Sequence, residues 1–286
     1  MSLLLILIVS FRCEYPKRDK LRKEERVNIY VFVKRVPDTE SKIRINHEAN
    51  TINEEGLNFV LSPYDEYAVE EALRVREAGS GKVTVITVGT EEALTTLKKC
   101  LAMGADEAVL LKDETPETYD GLRTAKIIAR AMEKKFADHT MLLFGKQSVG
   151  ADNAQVPSMV AELLGLPQAN VATKLKIEGN KGIAHREIEG ALEKVSLSLP
   201  AVISAQKGLN EPRYETLKGI MAAKKKEIPV VTLADLDLKD EDVAPLLEVI
   251  KLESPPQRQA GRVIEGEPEE AAKQMVKFLH EEAKVI

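Results

Sequence analysis

From Val27 onward the chain alternates short apolar runs with amphipathic stretches, and no other feature constrains its fold as strongly. Residues 27–33 (VNIYVFV) are apolar at successive positions and rich in β-branched side chains, as a strand covered on both faces requires. Ser62-Pro63-Tyr64-Asp65 then opens a helix, with Ser as N-cap, Pro at the first position and an acid in the first turn. Ala68, Val69, Ala72 and Leu73 make its apolar stripe, and Gly79 ends it. A strand over 82–88 follows, then a helix from Thr90 with Leu94, Leu97 and Leu101 inward and a stop at Gly104. Next come a short strand over 108–111, a helix with Leu122, Ala125, Ile128 and Met132 on one face, and a strand over 140–144. A helix near 154–164 closes the series.

This alternation predicts an α/β fold built on an open, mostly parallel Rossmann-like sheet with helices on both faces. Such sheets hold ligands beyond the carboxyl ends of their strands, where the strand order reverses. The informative loops are therefore those after Val33, Val88 and Phe144. After Gly165 the texture changes: residues 174–177, 183–189, 192–199 and 201–206 read as strands separated by Gly-containing turns and a Pro, the pattern of added antiparallel strands. The α/β domain is expected to span 27–240, and residues 241–286 to form an extended tail that wraps a neighbouring surface.

Ahead of the domain, residues 3–9 form an apolar run of seven, short of the roughly 20 that a bilayer takes. Eleven of the fifteen residues from Arg12 to Arg26 are charged. Residues 1–26 are expected to lie outside the fold, either as a disordered leader or as a mis-assigned start, since valine codons such as that of Val27 can initiate translation. With 46 acidic against 41 basic residues, the chain lacks the cationic excess of a general nucleic-acid binder. Two cysteines and four scattered histidines at no ligand spacing argue against a metal centre or a disulfide framework, and fit a reducing compartment.

Two segments carry chemistry. Gly145-Lys146-Gln147-Ser148-Val149-Gly150-Ala151-Asp152-Asn153-Ala154-Gln155-Val156 follows a buried strand and leads into a helix. Small residues admit close backbone approach, and a helix N-terminus offers free N–H groups to a phosphate. Pro157 belongs in the first helical turn and pins the helix start near Asn153. The spacing fits equally a capped loop, with Asp152 or Asn153 as N-cap and nothing bound. It matches neither the P-loop nor the dinucleotide fingerprint. The second segment, 209–226, has a turn at Asn210-Glu211-Pro212, a possible cap at Thr216, and Leu217, Ile220 and Met221 at helical spacing before Lys224-Lys225-Lys226. Spacing alone favours an amphipathic helix packed on the core, its lysines favourable to the helix dipole.

Both segments resemble the beta subunit of electron-transfer flavoprotein. The resemblance is carried by Asn210-Glu211-Pro212-Arg213-Tyr214, Thr216-Leu217 and the Ala223-Lys224-Lys225-Lys226 run, by Val33-Lys34-Arg35-Val36-Pro37-Asp38 and Ala68-Val69-Glu70-Glu71-Ala72, and by Ala102-Met103-Gly104-Ala105-Asp106 and Pro255-Pro256-Gln257-Arg258. It runs from about Val27 into the tail and leaves only the leader outside. It implies an electron carrier without turnover of its own, a heterodimer with an alpha subunit whose mobile domain carries the redox FAD, and docking of acyl-CoA dehydrogenases during fatty acid oxidation. Electrons would then pass to a flavoprotein-quinone oxidoreductase. A cytoplasmic location is implied, or the matrix for a mitochondrial form.

By the same resemblance, a structural AMP sits against Phe32, Ser62, Pro63, Tyr64, Asp65, Val88 and the 145–156 loop. Gly150 stands where many members carry an acid, and Phe32 where many carry a smaller residue, so phosphate contact would rest on backbone N–H groups and Ser148. Leu217 matches the leucine that plugs a pocket on the donor, with Arg213, Tyr214, Ile220, Met221 and Lys225 around it. Tyr64, Arg186 and Glu187 match positions facing the flavin domain, where a charge pair would bias its position. Two alternatives stand beside this: a bifurcating form holding a second FAD in the same pocket, and an ATP-using enzyme on a similar fold.

Overall fold

The computed structural model describes residues 27–79, 81–115, 120–255, 261 and 263–286. The leader 1–26 and the Pro256-Gln257-Arg258 part of the tail motif lie outside the described residues. In chain order the elements are β1 (Val27–Phe32), β2 (Arg35–Pro37), β3 (Arg44–Asn46), β4 (Thr51–Asn53), β5 (Phe59–Leu61), α1 (Pro63–Ala78), β6 (Gly81–Gly89), α2 (Leu94–Met103) and β7 (Glu107–Lys112). There follow α3 (Gly121–Lys134), β8 (Met141–Gly145), α4 (Val156–Leu164), β9 (Gln168–Glu178), β10 (Lys181–Ile188), β11 (Ala191–Ser198), β12 (Ala201–Ala205), α5 (Leu217–Lys225), β13 (Val230–Val231) and α6 (Pro268–Lys277).

One nine-stranded sheet runs β11-β10-β9-β12-β8-β1-β6-β7-β13. All pairs from β9 to β13 in that order are parallel, and β9-β10-β11 form the antiparallel addition expected after Gly165. The apolar character of β1 on both faces has its reason here. Ile29, Val31 and Val33 pack with α1 and α2, whereas Tyr30 and Phe32 pack with α3 and α4 on the other side. The chain proceeds from β1 outward through β6 and β7, then crosses back to place β8 on the opposite side of β1. Strand order therefore reverses at β1, and the ends of β1, β6 and β8 meet around one crevice.

Two expectations need correction. The third helix buries Arg123 rather than Leu122, because the Asp113 carboxylate on β7's exit waits to neutralise it. The fourth helix begins at Val156, with Gln155 as N-cap and Pro157 inside the first turn, so neither Asp152 nor Asn153 caps it. Residues 27–252 fall in one compact unit, and Glu253–Ile286 form a second, smaller one. Within the first, the stretch beyond Asp240 is fastened down: Val243 is fully buried, and the Asn50 side chain bonds Val249 O and Leu252 N. No helix of the described residues is long and apolar enough to cross a membrane.

Candidate functional site

The carboxyl ends of β1, β6 and β8 open into a cleft whose empty space, open mouth included, is about 1070 Å³. Phe32 and Phe144, paired in register on β1 and β8, stack at 4.5 Å between ring centroids and 16° between planes. With Ile86, Val88, Ile128 and Val156 they make an apolar wall wide enough for a flat heterocycle.

The floor is set by the first turn of α1. Asp65 accepts the backbone N–H of Lys34 at 2.7 Å and of Gly145 at 3.1 Å, joining α1 to the ends of β1 and β8. Burial pushes its carboxyl up to about 7, and the two N–H donors with the Lys34 charge pull the other way without cancelling that. The folded chain thus holds this proton to about pH 7, whereas the unfolded chain releases it from about 3.8. Stability is therefore fully present below the unfolded value and lost as pH rises through the folded one. The unfolding free energy of wild type should fall relative to Asp65→Asn between pH 4 and 7, by at most about 4 kcal/mol. Denaturant titrations across that range would show it, and parallel profiles for the two proteins would refute it.

Of the residues expected in the 145–156 loop, Gly145, Lys146, Gln147, Ser148, Ala151, Asn153, Ala154, Gln155 and Val156 line the cleft, whereas Val149, Gly150 and Asp152 do not. Asp152 instead accepts a bond from Gln147 Nε2 at 2.6 Å, tying the loop across its base. Gly150, Asp152 and Ala154 take positive φ (97°, 52° and 52°), a strained choice for Asp and Ala of the kind concentrated at binding sites. Phe32, Asp65 and Val88 line the cleft; Ser62, Pro63 and Tyr64 do not. Ser62 is fully buried behind Asp65, and Tyr64 carries Lys146 Nζ 5.9 Å from its ring centroid.

Sequence reasoning missed the remaining wall, made by Lys34, Asp113, Thr115, Asp120, Gly121 and Thr124. Arg123 grips Asp113 through two bonds of 2.8 and 2.9 Å and donates a third, at 3.0 Å, to Val243 O. Burial alone would raise the Asp113 carboxyl, but Arg123 and the Thr115 donors outweigh it and hold it below the ordinary range. Asp120 accepts from Leu122 N at 2.8 Å as N-cap of α3, and from Leu246 N at 2.5 Å. An Asp directly ahead of an apolar-periodic stretch is a recognisable cap signal, so Asp120 was within reach of the sequence.

The 209–226 segment lies away from the cleft, along the outer side of α1 and α2. Thr216 caps α5, accepting from Gly219 N at 3.0 Å. A Cβ at Gly219 would stand 2.2 Å from Ala102 O, so glycine lets α5 lie flush against the end of α2. The packed face of α5 is Gly219, Ile220 and Ala223, and Leu217 and Met221 point outward, 85% and 65% exposed. Spacing alone predicted all three large apolar residues on the core; the structure turns two of them to solvent and keeps Ile220 packed. Tyr214 is 93% exposed, and Lys225, at the far end of α5, is exposed too. Arg213 spends its guanidinium on Glu70 and Glu77 of α1.

On β10, Arg186 pairs with Glu193 of β11 at 3.1 Å, not with its neighbour Glu187, which is exposed. Adjacent strand residues face opposite sides, which forbids an Arg186–Glu187 pair.

Residues 49–236 match the family model of the electron transfer flavoprotein domain. Among curated proteins, the chain is 42% identical over 261 residues to an electron transfer flavoprotein subunit beta of Bacillus subtilis, covering 91% of this chain and 100% of that one. It is 37% identical over 258 residues to the same-named subunit of Thermoanaerobacterium thermosaccharolyticum (89% and 98% covered). With that of Mus musculus it shares 39% over 246 residues (85% and 94%).

Proposed function

The chain belongs to the electron transfer flavoprotein family as a beta subunit, and from that premise we propose that it is the non-catalytic half of a heterodimeric electron carrier. Its alpha partner holds the redox FAD on a mobile domain that rests on this subunit near Tyr64, Arg186 and Glu187. Of the 241–286 tail, the part beyond Leu252 wraps that partner, since residues up to Leu252 are held on this subunit. Electrons arrive from acyl-CoA dehydrogenases in fatty acid oxidation and leave to a flavoprotein-quinone oxidoreductase.

The cleft holds AMP as a structural group. The fit is chemical: an apolar wall of Phe32, Phe144 and Val88 suits adenine, and a strained loop with Ser148, Asn153 and Gln155 offers donors to the ribose phosphate. Lys34 and Lys146 stand at its edge as counter-charges. The acids Asp113 and Asp120 in the same wall are already satisfied by Arg123 and backbone N–H groups, which limits their repulsion of a phosphate. Bound there, AMP supplies no redox chemistry; it fills the switch point and ties the 145–156 loop to the sheet.

The observation that carries the docking reading is the inverted exposure of α5. A core helix buries its large apolar side chains, yet Leu217 and Met221 are exposed beside Tyr214 on a helix whose seat is otherwise tight. A small exposed apolar cluster on a rigid support is the form of an interface hot spot. In the purified heterodimer, Leu217→Ala should raise the KM for the carrier in the acyl-CoA dehydrogenase reaction at least about tenfold, about 1.4 kcal/mol, with assembly and FAD content unchanged. An unaltered KM refutes the docking role.

A further inference from the structure

Residues 210–216, which lead into α5, belong to no helix or strand. Their course depends on side chains reaching back to α1. Asn210 Nδ2 donates to Tyr67 O and to Glu71 Oε2, both at 2.9 Å. Arg213 does more. Its Nε and Nη2 meet the two oxygens of Glu70 at 2.7 and 3.1 Å, and its Nη1 and Nη2 meet those of Glu77 at 2.6 and 3.1 Å. Its backbone N–H also donates to Glu70 Oε2 at 3.2 Å. The Glu70 side chain is only 4% exposed and takes a further bond from Arg74 at 2.9 Å.

Two carboxylates seven residues, about two helical turns, apart on α1 are thus bridged by one planar fork, a geometry that an ammonium group cannot copy. Every guanidinium nitrogen is engaged within the chain, which leaves no free edge for a partner's carboxylate. We propose that Arg213 is a positioning residue for docking: an internal clamp that fixes the lead-in to α5, and so the aim of Leu217, without touching the partner. The inference rests on the reading of α5 as the docking helix. The physical reason is that a knob helps binding only if its orientation is set before encounter; a mobile lead-in adds an ordering cost at each docking event.

The test uses the full heterodimer with its alpha subunit. Arg213→Met should accelerate amide exchange across residues 210–221 at least about tenfold. It should raise the KM for the carrier with an acyl-CoA dehydrogenase by a similar factor, with kcat within twofold and FAD content and dithionite reduction unchanged. Arg213→Lys should keep most of the defect, since one ammonium cannot bridge both acids. Glu77→Gln leaves Glu70 paired, so it keeps the question answerable if Arg213→Met fails to fold; it should show a smaller change in the same direction.

The double variant Arg213→Met/Leu217→Ala should be no worse than Leu217→Ala alone, because both act through one knob. Exchange unchanged in Arg213→Met or, should that variant not fold, in Glu77→Gln overturns the clamp. Multiplicative losses in the double variant overturn it too, by making Arg213 a contact of its own. If Leu217→Ala leaves the KM unmoved, the docking reading fails and takes the positioning role with it. The exchange rates then show whether that failure lies in the docking or in the clamp.

Discussion

Gly145→Ala loses the nucleotide from the cleft and costs the fold at least about 3 kcal/mol. A Cβ there would lie 2.2 Å from Asp65 Oδ1, 2.7 Å from Tyr64 C and 2.8 Å from Asp65 N, and two of those three atoms are backbone that cannot rotate aside. Either β8 or the first turn of α1 must move. Overpacking of this kind costs about 1–3 kcal/mol or more. Separation also strands the Gly145 and Lys34 N–H groups that Asp65 now pairs, at roughly 1–3 kcal/mol each when buried. The measurement is mass spectrometry of nucleotides released from denatured heterodimer, with thermal melting alongside. Wild type should release one FAD and one AMP, and the variant FAD with little AMP. Full AMP in the variant would place the nucleotide elsewhere, and two FAD with no AMP from wild type would make the same cleft a redox site.

Arg123→Met destabilises the subunit by about 3–5 kcal/mol, the range for removing one partner of a buried ion pair. Arg123 and Asp113 have side-chain exposures of 4% and 5%, and Arg123 also carries Val243 O. Methionine fills the volume but leaves the carboxylate buried with only the Thr115 donors, and removes the bonds from α3 to Val243 O and Asp240. The melting temperature should drop by roughly 10 °C. Adding Asp113→Asn should recover part of the loss, since the uncompensated charge is then gone. A drop below about 1 kcal/mol, or no recovery in the double variant, would show that water already solvates the pair.

Much of the fold was legible because its signals are local. Strand and helix order follows from apolar periodicity and from the glycines Gly79 and Gly104 at helix ends, of which Gly104 uses glycine's freedom at a φ of 125°. The order of elements in turn implied a doubly wound sheet, and the sheet implied where its crevice lies. The loop from Gly145 was found from small residues between a strand and a Pro-marked helix. Its side chains were less legible: Asp152 faces Gln147 and not the cleft, a choice made by loop geometry that no spacing encodes.

The chain's own sequence determined the alternation and the presence of an amphipathic α5, because each depends on neighbours within a few residues, and the alternation in turn implied a sheet with a switch-point crevice. Only the tertiary structure decided which face of α5 is buried, why Glu70 and Glu71 lie inside, and why Arg123 points inward. Those outcomes hinge on partners far along the chain: Arg213 and Glu70 are 143 residues apart, and Arg123 and Val243 are 120 apart. A helix with large apolar residues at i, i+3 and i+4 can bury any side that finds a complementary surface. Here Gly219, flush against Ala102 O, selected the side that leaves Leu217 outside.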